Sequence, residues 1–304
     1  MSPSSKTEVG HGERGTGDAH AESPKAALGR LGLAPKKHFG QCFLADRGIA
    51  ARIAELATPG GGTVIELGAG LGALTRPLLE RAEHVVAVER DRDLVPALRT
   101  TLADAVDAGR LTVLEADAKT IDVAALLAGK PAPHVLAGNL PYQITGPLLT
   151  LATRAARILD RVVYLVQLEV AARLAAGPRE ADYGALSVFV QAAFDVERPL
   201  VVRRGAFYPQ PNVDSALVVL TPRRAPIEET ETFSALVRAA FAGRRKKLGN
   251  AWKALAPREA LTSAASRAGI DLERRGEELD VGAFARMATE LDVALVAAPK
   301  PVPR

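Results

Sequence analysis

A glycine-rich loop follows an apolar, strand-like run over residues 63–67 and precedes a helix-like run. The glycines, Gly68, Gly70 and Gly72, allow the backbone to approach a ligand closely and to adopt positive φ. Glu89 ends the next strand-like run, where a carboxylate can accept hydrogen bonds from both hydroxyls of a ribose. Asp117 follows a third run and can meet an adenine amino group. Because these strand ends converge at one sheet edge, they predict a nucleoside pocket.

Two cofactors fit this loop, and a loop that binds no ligand is a third possibility. A nicotinamide dinucleotide fingerprint requires a third glycine where Ala73 stands, because that glycine allows close packing of helix and strand. Its absence favours S-adenosylmethionine, which has no pyrophosphate to bind. In the third possibility, the glycines only form a tight turn.

A second motif, Asn139-Leu140-Pro141-Tyr142, follows a fourth strand-like run and should reach the same edge. The exocyclic amine of a base is a poor nucleophile, because its lone pair is delocalised into the ring. Asn139 and the Leu140 carbonyl can accept hydrogen bonds from such an amine, Pro141 stiffens the turn, and Tyr142 can stack on a flipped base. Positioning and electrostatics would then carry the reaction without a strong base. An ordinary strand-to-turn segment is the alternative.

The elements that must position these residues alternate between strand-like and helix-like patterns. This alternation predicts an α/β fold with a largely parallel sheet and helices on both faces. Strands are predicted over 63–67, 85–89, 111–115, 135–139, 162–168, 185–196 and 215–220, and helices over 71–82, 94–108 and from 169. Beyond Pro222 the pattern predicts a small all-α domain with helices over 231–241, 251–255, 259–268 and 281–291.

Length and composition bound the domain organisation. The 304 residues, 48% hydrophobic and 24% charged, are typical of globular proteins and exclude a wholly disordered chain, a collagen-like fibre or a coiled coil. We predict a disordered tail over 1–35, a sheet domain over 36–222, a helical domain over 223–297 and a frayed end over 298–304. With a single cysteine, Cys42, and neither a leader nor a membrane span, the sequence favours a cytoplasmic protein.

Clustered cations suggest an anionic partner, although the net charge is only +4. The densest cluster, at the predicted end of a helix, could bind RNA phosphates or could be a solvated helix end whose cations offset the helix dipole. The five histidines lack ligand spacing, so no metal site is expected. The candidate RNA contacts are Lys36, Lys37, Arg203, Arg204, Arg244, Arg245, Lys246 and Lys247.

Six motifs together resemble one family, the small-subunit (16S) ribosomal RNA adenine N6,N6-dimethyltransferases of bacteria. The resemblance covers about residues 36 to 293. The motifs are Lys37–Leu44 (KHFGQCFL), Glu66–Gly72 (ELGAGLG), Asn139–Tyr142 (NLPY), Asp182–Val188 (DYGALSV), Phe207–Ala216 (FYPQPNVDSA) and Arg244–Asn250 (RRKKLGN).

The resemblance implies a Rossmann-like domain followed by a helical domain. It also implies transfer of four methyl groups from S-adenosylmethionine to two adjacent adenosines in the 3′-terminal hairpin of 16S ribosomal RNA. By position it assigns the cofactor site to Cys42, Leu44, Gly68, Glu89, Asp117 and Asn139, and it places Phe207 opposite Tyr142 in the adenine pocket. Three departures, at Cys42, at Gln143 with Thr145, and at Asn212, leave the Asn139–Tyr142 motif untouched.

Three other functions stay open on the sequence. An erythromycin-resistance type of enzyme would methylate one adenine of large-subunit RNA, whereas a non-catalytic assembly factor would only bind immature small subunits. A nicotinamide oxidoreductase is more remote. We expect a monomer whose partner is 16S ribosomal RNA in the small subunit, with no membrane and no metal.

Overall fold

A seven-stranded sheet forms the centre of the computed structural model, which describes residues 22–243 and 245–297. The strands are β1 (Phe43–Leu44), β2 (Thr63–Leu67), β3 (His84–Glu89), β4 (Leu111–Glu115), β5 (His134–Asn139), β6 (Arg161–Gln167), β7 (Phe194–Val202), β8 (Phe207–Tyr208) and β9 (Ser215–Pro222). The large sheet has the order β4-β3-β2-β5-β6-β9-β7, and β1 pairs with β8 in a separate two-stranded sheet.

Helices cover both faces of the large sheet. Neighbouring residues on a strand point to opposite faces, so Val64 and Ile65 belong to two different cores, one on each face of the sheet. The helices are α1 (Pro24–Arg30), α2 (Arg47–Ala57), α3 (Thr75–Leu79), α4 (Val95–Thr101), α5 (Ala103–Asp107), α6 (Val123–Leu127), α7 (Thr145–Ala155), α8 (Leu168–Ala175), α9 (Ala185–Ala193), α10 (Glu231–Phe241), α11 (Leu248–Trp252), α12 (Arg258–Ala268) and α13 (Val281–Ala297).

The strand order creates a crevice between β2 and β5. The chain proceeds from β2 outward to β3 and β4, then returns to pair β5 on the other side of β2. The pairings from β4 to β6 are parallel, so these strands end at one edge, and β9 runs antiparallel to both β6 and β7. Ligands of open α/β sheets bind outside the strand ends at such a reversal point. The prediction of a largely parallel α/β sheet is confirmed.

The prediction of a strand over 185–196 is wrong. The segment is mostly helix α9, and β7 begins at Phe194. The Ser187 hydroxyl accepts a hydrogen bond from the Gly184 amide at 3.1 Å and so caps the helix. Val190 packs against the sheet, whereas Val188 packs in the core of the C-terminal helices. A helix buried on two sides lacks a polar stripe, and this is why its sequence resembles a strand.

The prediction of a disordered tail over 1–35 is wrong for its second part. Ser23 caps α1 by accepting from the Ala26 amide at 3.3 Å, and Pro24 takes the first helical position. Leu28 is buried against Phe43 and Leu94. The earlier part of that segment, residues 1–21, and the predicted frayed end over 298–304 lie outside the described residues.

Several predicted helices differ in their bounds. The helix expected over 71–82 is limited to α3, because the glycine loop occupies its first turn. The helix expected over 94–108 is divided between α4 and α5 at Leu102. The helix expected over 251–255 is α11, which ends at Trp252. Among the described residues no helix is long and apolar enough to span a membrane.

Gly138 allows β5 to lie close to the end of β2. A Cβ atom there would lie 2.6 Å from the Leu67 carbonyl oxygen and 3.1 Å from Leu140 Cδ2. Gly138→Ala is therefore expected to lower the free energy of unfolding by about 1–3 kcal/mol, measured by denaturant titration. The matched control is Gly146→Ala in α7, where a Cβ would meet nothing within 4 Å. Equal stabilities of the two variants would contradict this account of Gly138.

Candidate active site

A cavity of about 180 Å³ lies at the reversal point of the sheet. Its walls are the ends of β2, β3 and β5, the loop after β4, and the segment over 38–44, which carries β1. Of the predicted site residues, the structure brings Cys42, Leu44, Gly68, Gly70, Glu89, Asp117, Asn139, Leu140, Pro141 and Tyr142 together around this cavity.

Glu89 is tied to the glycine loop. Its buried carboxylate accepts hydrogen bonds from the Gly70 amide at 2.8 Å and from the Asp91 amide at 2.7 Å, one on each oxygen. Gly70 has φ +57° and lies against the Phe43 ring, where a Cβ would come within 3.2 Å. A carboxylate has about four acceptor positions, so both oxygens can still accept from ribose hydroxyls. Burial raises the pKa of Glu89.

Asp117 sits on the cavity wall beyond β4 and is partly exposed. Its side chain lies 3.4 Å from an Arg90 guanidinium nitrogen and 3.5 Å from Lys119 Nζ, and it accepts from the Lys119 amide at 3.0 Å. These contacts hold an acceptor at the place where an adenine amino group is expected.

Asn139 is fixed by the segment that faces it. Its side-chain nitrogen donates to the Cys42 carbonyl oxygen at 2.8 Å, which leaves the amide oxygen as an acceptor. The Tyr142 hydroxyl lies 2.8 Å from Ser215 Oγ, and burial raises its pKa. The motif therefore presents an oriented amide and an anchored aromatic ring at one edge of the cavity.

Cys42 acts through its backbone in this site. Its carbonyl oxygen holds Asn139, and burial raises the pKa of its thiol, which favours the neutral form. This contact does not depend on the side chain at position 42, so the departure from the family pattern at Cys42 does not remove it.

Phe207 does not line the cavity. It is 5% exposed, belongs to the same hydrophobic core as Leu44 and Val202, and is the register partner of Leu44 in the β1–β8 pair. Its place opposite Tyr142 in an adenine pocket stays a prediction. Its side chain supports the strand that carries Leu44 instead.

Glu66 is a cavity residue that the sequence reasoning missed, although it stands directly before the glycine loop. Its carboxyl group is 1% exposed and accepts a hydrogen bond from Thr75 Oγ1 at 2.6 Å. Burial, opposed by the Thr75 hydrogen bond and aided by the nearby Glu89 charge, raises its pKa to about 8. The signal was an ionisable residue inside an otherwise apolar strand.

The raised pKa of Glu66 predicts a pH dependence of stability. A raised pKa in the folded state stabilises the fold fully below the ordinary carboxyl pKa, and this contribution is lost as the pH rises through about 8. Without cofactor, the free energy of unfolding should fall between pH 6 and pH 9 by about 3 kcal/mol more than in Glu66→Gln. Denaturant titrations at each pH measure this difference, and parallel pH profiles would contradict it.

The predicted RNA-binding cations are in different settings. Lys36 forms ion pairs with two carboxylates, because its Nζ lies 2.5 Å from Asp91 and 2.6 Å from Asp93. Lys37 and Arg204 are exposed, and Arg203 is 84% exposed while it pairs with Asp214 at 2.8 Å. Lys36 is therefore engaged in an internal ion pair, and its contact with RNA stays a prediction.

The densest basic cluster precedes a helix rather than ending one. Arg245 and Lys246 are exposed in the loop between α10 and α11, and Lys247 is the N-cap of α11 and pairs with Glu273 at 2.6 Å. Cations at a helix N-terminus are not favoured by the dipole, so the interpretation as a dipole-neutralising helix end does not apply to Lys247. Arg244 lies outside the described residues.

Metal ligands are absent from the described part of the chain, where no group of three or more His, Cys, Asp or Glu side chains could hold an ion. The hydrogen-bond acceptors around the cavity suit a nucleoside instead. Glu89 can bind a ribose, Asp117 can bind an adenine, and Ala118 and Leu71 offer apolar walls. The sheet order, the reversal-point cavity and these acceptors fit a Rossmann-like methyltransferase that uses S-adenosylmethionine.

Comparisons with known proteins give the family. The model of the ribosomal RNA adenine dimethylase family matches residues 32–293. A ribosomal RNA small subunit methyltransferase A of Anaeromyxobacter sp. (strain K) is 42% identical over 285 residues, covering 90% of this chain and 99% of that protein. One from Geobacter sulfurreducens is 40% identical over 269 residues, covering 86% and 96%. The chain belongs to the ribosomal RNA adenine dimethylase family and is an enzyme that methylates adenine in ribosomal RNA.

Solved structures agree with the fold. A dimethyladenosine transferase from Plasmodium falciparum superposes with a TM-score of 0.71 at 24% identity, covering 83% of this chain and 98% of that one. The 23S rRNA methyltransferase ErmE gives a TM-score of 0.61 at 30% identity, covering 82% and 99%. The predicted fold class and cofactor are confirmed.

Proposed function

We propose that this enzyme dimethylates the N6 amino groups of two adjacent adenosines in the 3′-terminal hairpin of 16S ribosomal RNA during small-subunit maturation. The observation that carries the proposal is the Asn139 amide, oriented by the Cys42 carbonyl at the mouth of a nucleoside cavity. The relatives at 40% and 42% identity, named as small subunit methyltransferases, support the choice of subunit.

The residues around the cavity divide into a cofactor group and a target group. When bound, S-adenosylmethionine supplies an electrophilic methyl group on its sulfonium sulfur. Glu89, Asp117 and the loop with Gly68 and Gly70 bind the nucleoside part of the cofactor from the ends of β2, β3 and β4. Cys42 and Leu44 cover this site, and Phe207 supports Leu44 as its register partner in the β1–β8 pair.

The target group receives one flipped adenine. Asn139 Oδ1 and the Leu140 carbonyl accept the two hydrogens of the exocyclic amine, which draws the nitrogen lone pair out of the ring and toward the methyl group. Pro141 stiffens this turn, and Tyr142, anchored to Ser215, stacks on the base. The rate enhancement comes from positioning and fixed dipoles, because an amine of this kind needs acceptors rather than a strong base.

The RNA surface is formed by exposed cations on two parts of the chain. Lys37, Arg203 and Arg204 lie next to the elements that carry the target group, and Arg245, Lys246 and Lys247 lie in the helical part, where Arg244 is a further candidate. Each phosphate that these cations neutralise adds to the salt dependence of binding. We further propose a cytoplasmic monomer with a methyltransferase domain over 36–222 and a helical domain over 223–297.

Methyl transfer to isolated subunits tests this function. Small subunits that lack the modification are incubated with the enzyme and tritiated S-adenosylmethionine, and the product nucleosides are separated. We expect N6,N6-dimethyladenosine, with incorporation approaching about four methyl groups per particle. Methylation of the large-subunit hairpin with none on small subunits would indicate the erythromycin-resistance type of enzyme. Binding of small subunits without any transfer would indicate an assembly factor.

A further inference from the structure

An ion-pair cluster lies just outside the cavity, where the chain enters the cover segment, which we define as residues 36–44. Lys36 Nζ lies 2.5 Å from Asp91 Oδ1 and 2.6 Å from Asp93 Oδ2. Gln41 joins the cluster twice, because its side-chain nitrogen donates to Asp91 Oδ2 at 2.8 Å and its oxygen accepts from the Lys36 amide at 2.8 Å. The cluster therefore fastens the start of the cover segment to the loop that follows β3.

The cluster continues directly into the cofactor site. Asp91 donates its backbone amide to the Glu89 carboxylate at 2.7 Å, so the side chain and the amide of Asp91 link the cover segment to the ribose-binding residue. The Asp91 side chain is only 3% exposed, and that of Lys36 is 28% exposed. Burial alone would raise the pKa of Asp91, but the hydrogen bonds from Lys36, Gln41 and the Asp93 amide lower it below its ordinary value.

The other end of the cover segment is fastened separately. The Cys42 carbonyl accepts from Asn139, and Phe43 and Leu44 pair with β8. Between the two ends, the Phe39 ring lies 5.6 Å from Lys36 Nζ and 5.2 Å from the Arg90 guanidinium carbon. Residues 38–44 all line the cavity, so the segment forms a wall that is fixed at its target end and at its ribose end.

We propose that Lys36, Gln41 and Asp91 are positioning residues that hold the cover segment closed over bound S-adenosylmethionine, so that cofactor retention depends on an ion pair outside the cavity. This inference rests on the proposed function, because it assumes that the nucleoside cavity holds this cofactor. It assigns Lys36 to cofactor retention instead of RNA contact. Breaking the pair leaves the Asp91 carboxylate buried without its cation, which is more costly than loss of an exposed pair.

The test compares Lys36→Met with the matched control Lys37→Met, which changes an exposed lysine at the neighbouring position. Calorimetry gives the Kd for S-adenosylmethionine without RNA, and stopped flow gives the dissociation rate. We expect Lys36→Met to raise the Kd about tenfold, mainly through faster dissociation. Lys36→Arg should keep most of the affinity. Asp93→Asn should weaken it less, because the Asp93 side chain is 46% exposed.

Salt provides a readout that a general loss of packing would not change. The wild-type Kd should rise more steeply with ionic strength than that of Lys36→Met, because the variant no longer has the pair that salt screens. An unchanged cofactor Kd with weaker binding of small subunits would overturn the inference and restore Lys36 as an RNA contact. A wild-type enzyme that binds no S-adenosylmethionine would overturn the proposed function itself, whereas equal affinities in wild type and variant would overturn only this inference.

Discussion

Asn139→Ala is expected to lower the rate of methyl transfer by about 10³-fold while small-subunit binding is retained. The variant loses the acceptor for the adenine amine, and a single polar group aimed at the reacting centre is commonly worth about 10²–10³ in rate. It also leaves the Cys42 carbonyl without its donor. The affinity for S-adenosylmethionine should therefore fall as well, but by less than about tenfold, which is typical of the loss of one neutral hydrogen bond.

Single-turnover transfer and subunit binding, measured on the same preparations, separate these effects. Asn139→Asp is the informative second variant, because its carboxylate can accept from the amine but cannot donate to the Cys42 carbonyl, and it should also be strongly impaired. Asn212→Ala, which removes an exposed amide, is the control and should keep its rate of transfer. Full activity of Asn139→Ala would remove Asn139 from the mechanism.

Glu89→Ala is expected to raise the Kd for S-adenosylmethionine by about 100-fold or more. The carboxylate is buried, it holds the amides of Gly70 and Asp91, and it has acceptor positions left for two ribose hydroxyls. A site built to hydrogen-bond hydroxyl groups loses several kcal/mol when the acceptor is removed, about 1.5–3 kcal/mol for each bond to a charged group. Glu89→Gln should also bind poorly, since its NH₂ group would face one of the two backbone N–H donors.

The control for Glu89 is its neighbour in the sheet. Glu115 is the register partner of Glu89 on β4, ends a parallel strand at the same edge, and is exposed. Calorimetric titration of Glu115→Ala should therefore give the wild-type affinity. If Glu89→Ala bound the cofactor as well as Glu115→Ala does, the ribose-binding role of Glu89 would be wrong.

Most of the sheet and the cavity could be predicted from the sequence, because buried parallel strands are short apolar runs with distinct ends. Glu89, Asp117 and Asn139 each follow such a run, and the topology brings them together. Helix α9 was missed because it is apolar on both sides. Helix α1 lies in a segment whose composition predicts disorder, and only the local Ser23-Pro24 signal indicates a helix start there.

The role of Lys36 could not be predicted from local patterns. Its partner Asp91 lies 55 residues further along the chain, so nothing near Lys36 distinguishes a buried ion pair from an RNA contact. Phe207 shows the same limit, since the resemblance supplies a position but not the direction of a side chain. Glu66 has another cause: an ionisable residue inside an apolar strand marks the position, but its burial and its hydrogen bond with Thr75 follow only from the fold.

Helix α9 has a consequence for how such enzymes can be divided. Val190 belongs to the core of the sheet and Val188 to the core of the C-terminal helices, and the neighbouring Tyr183 donates its hydroxyl to the Leu279 carbonyl at 2.9 Å. A cut in the chain at Pro222 would therefore leave α9 with the sheet and open the helical core that it helps to fill. Chimaeras that exchange subunit-recognition parts between relatives should keep α9 together with the helices it packs against, because the modular boundary lies in packing rather than in sequence order.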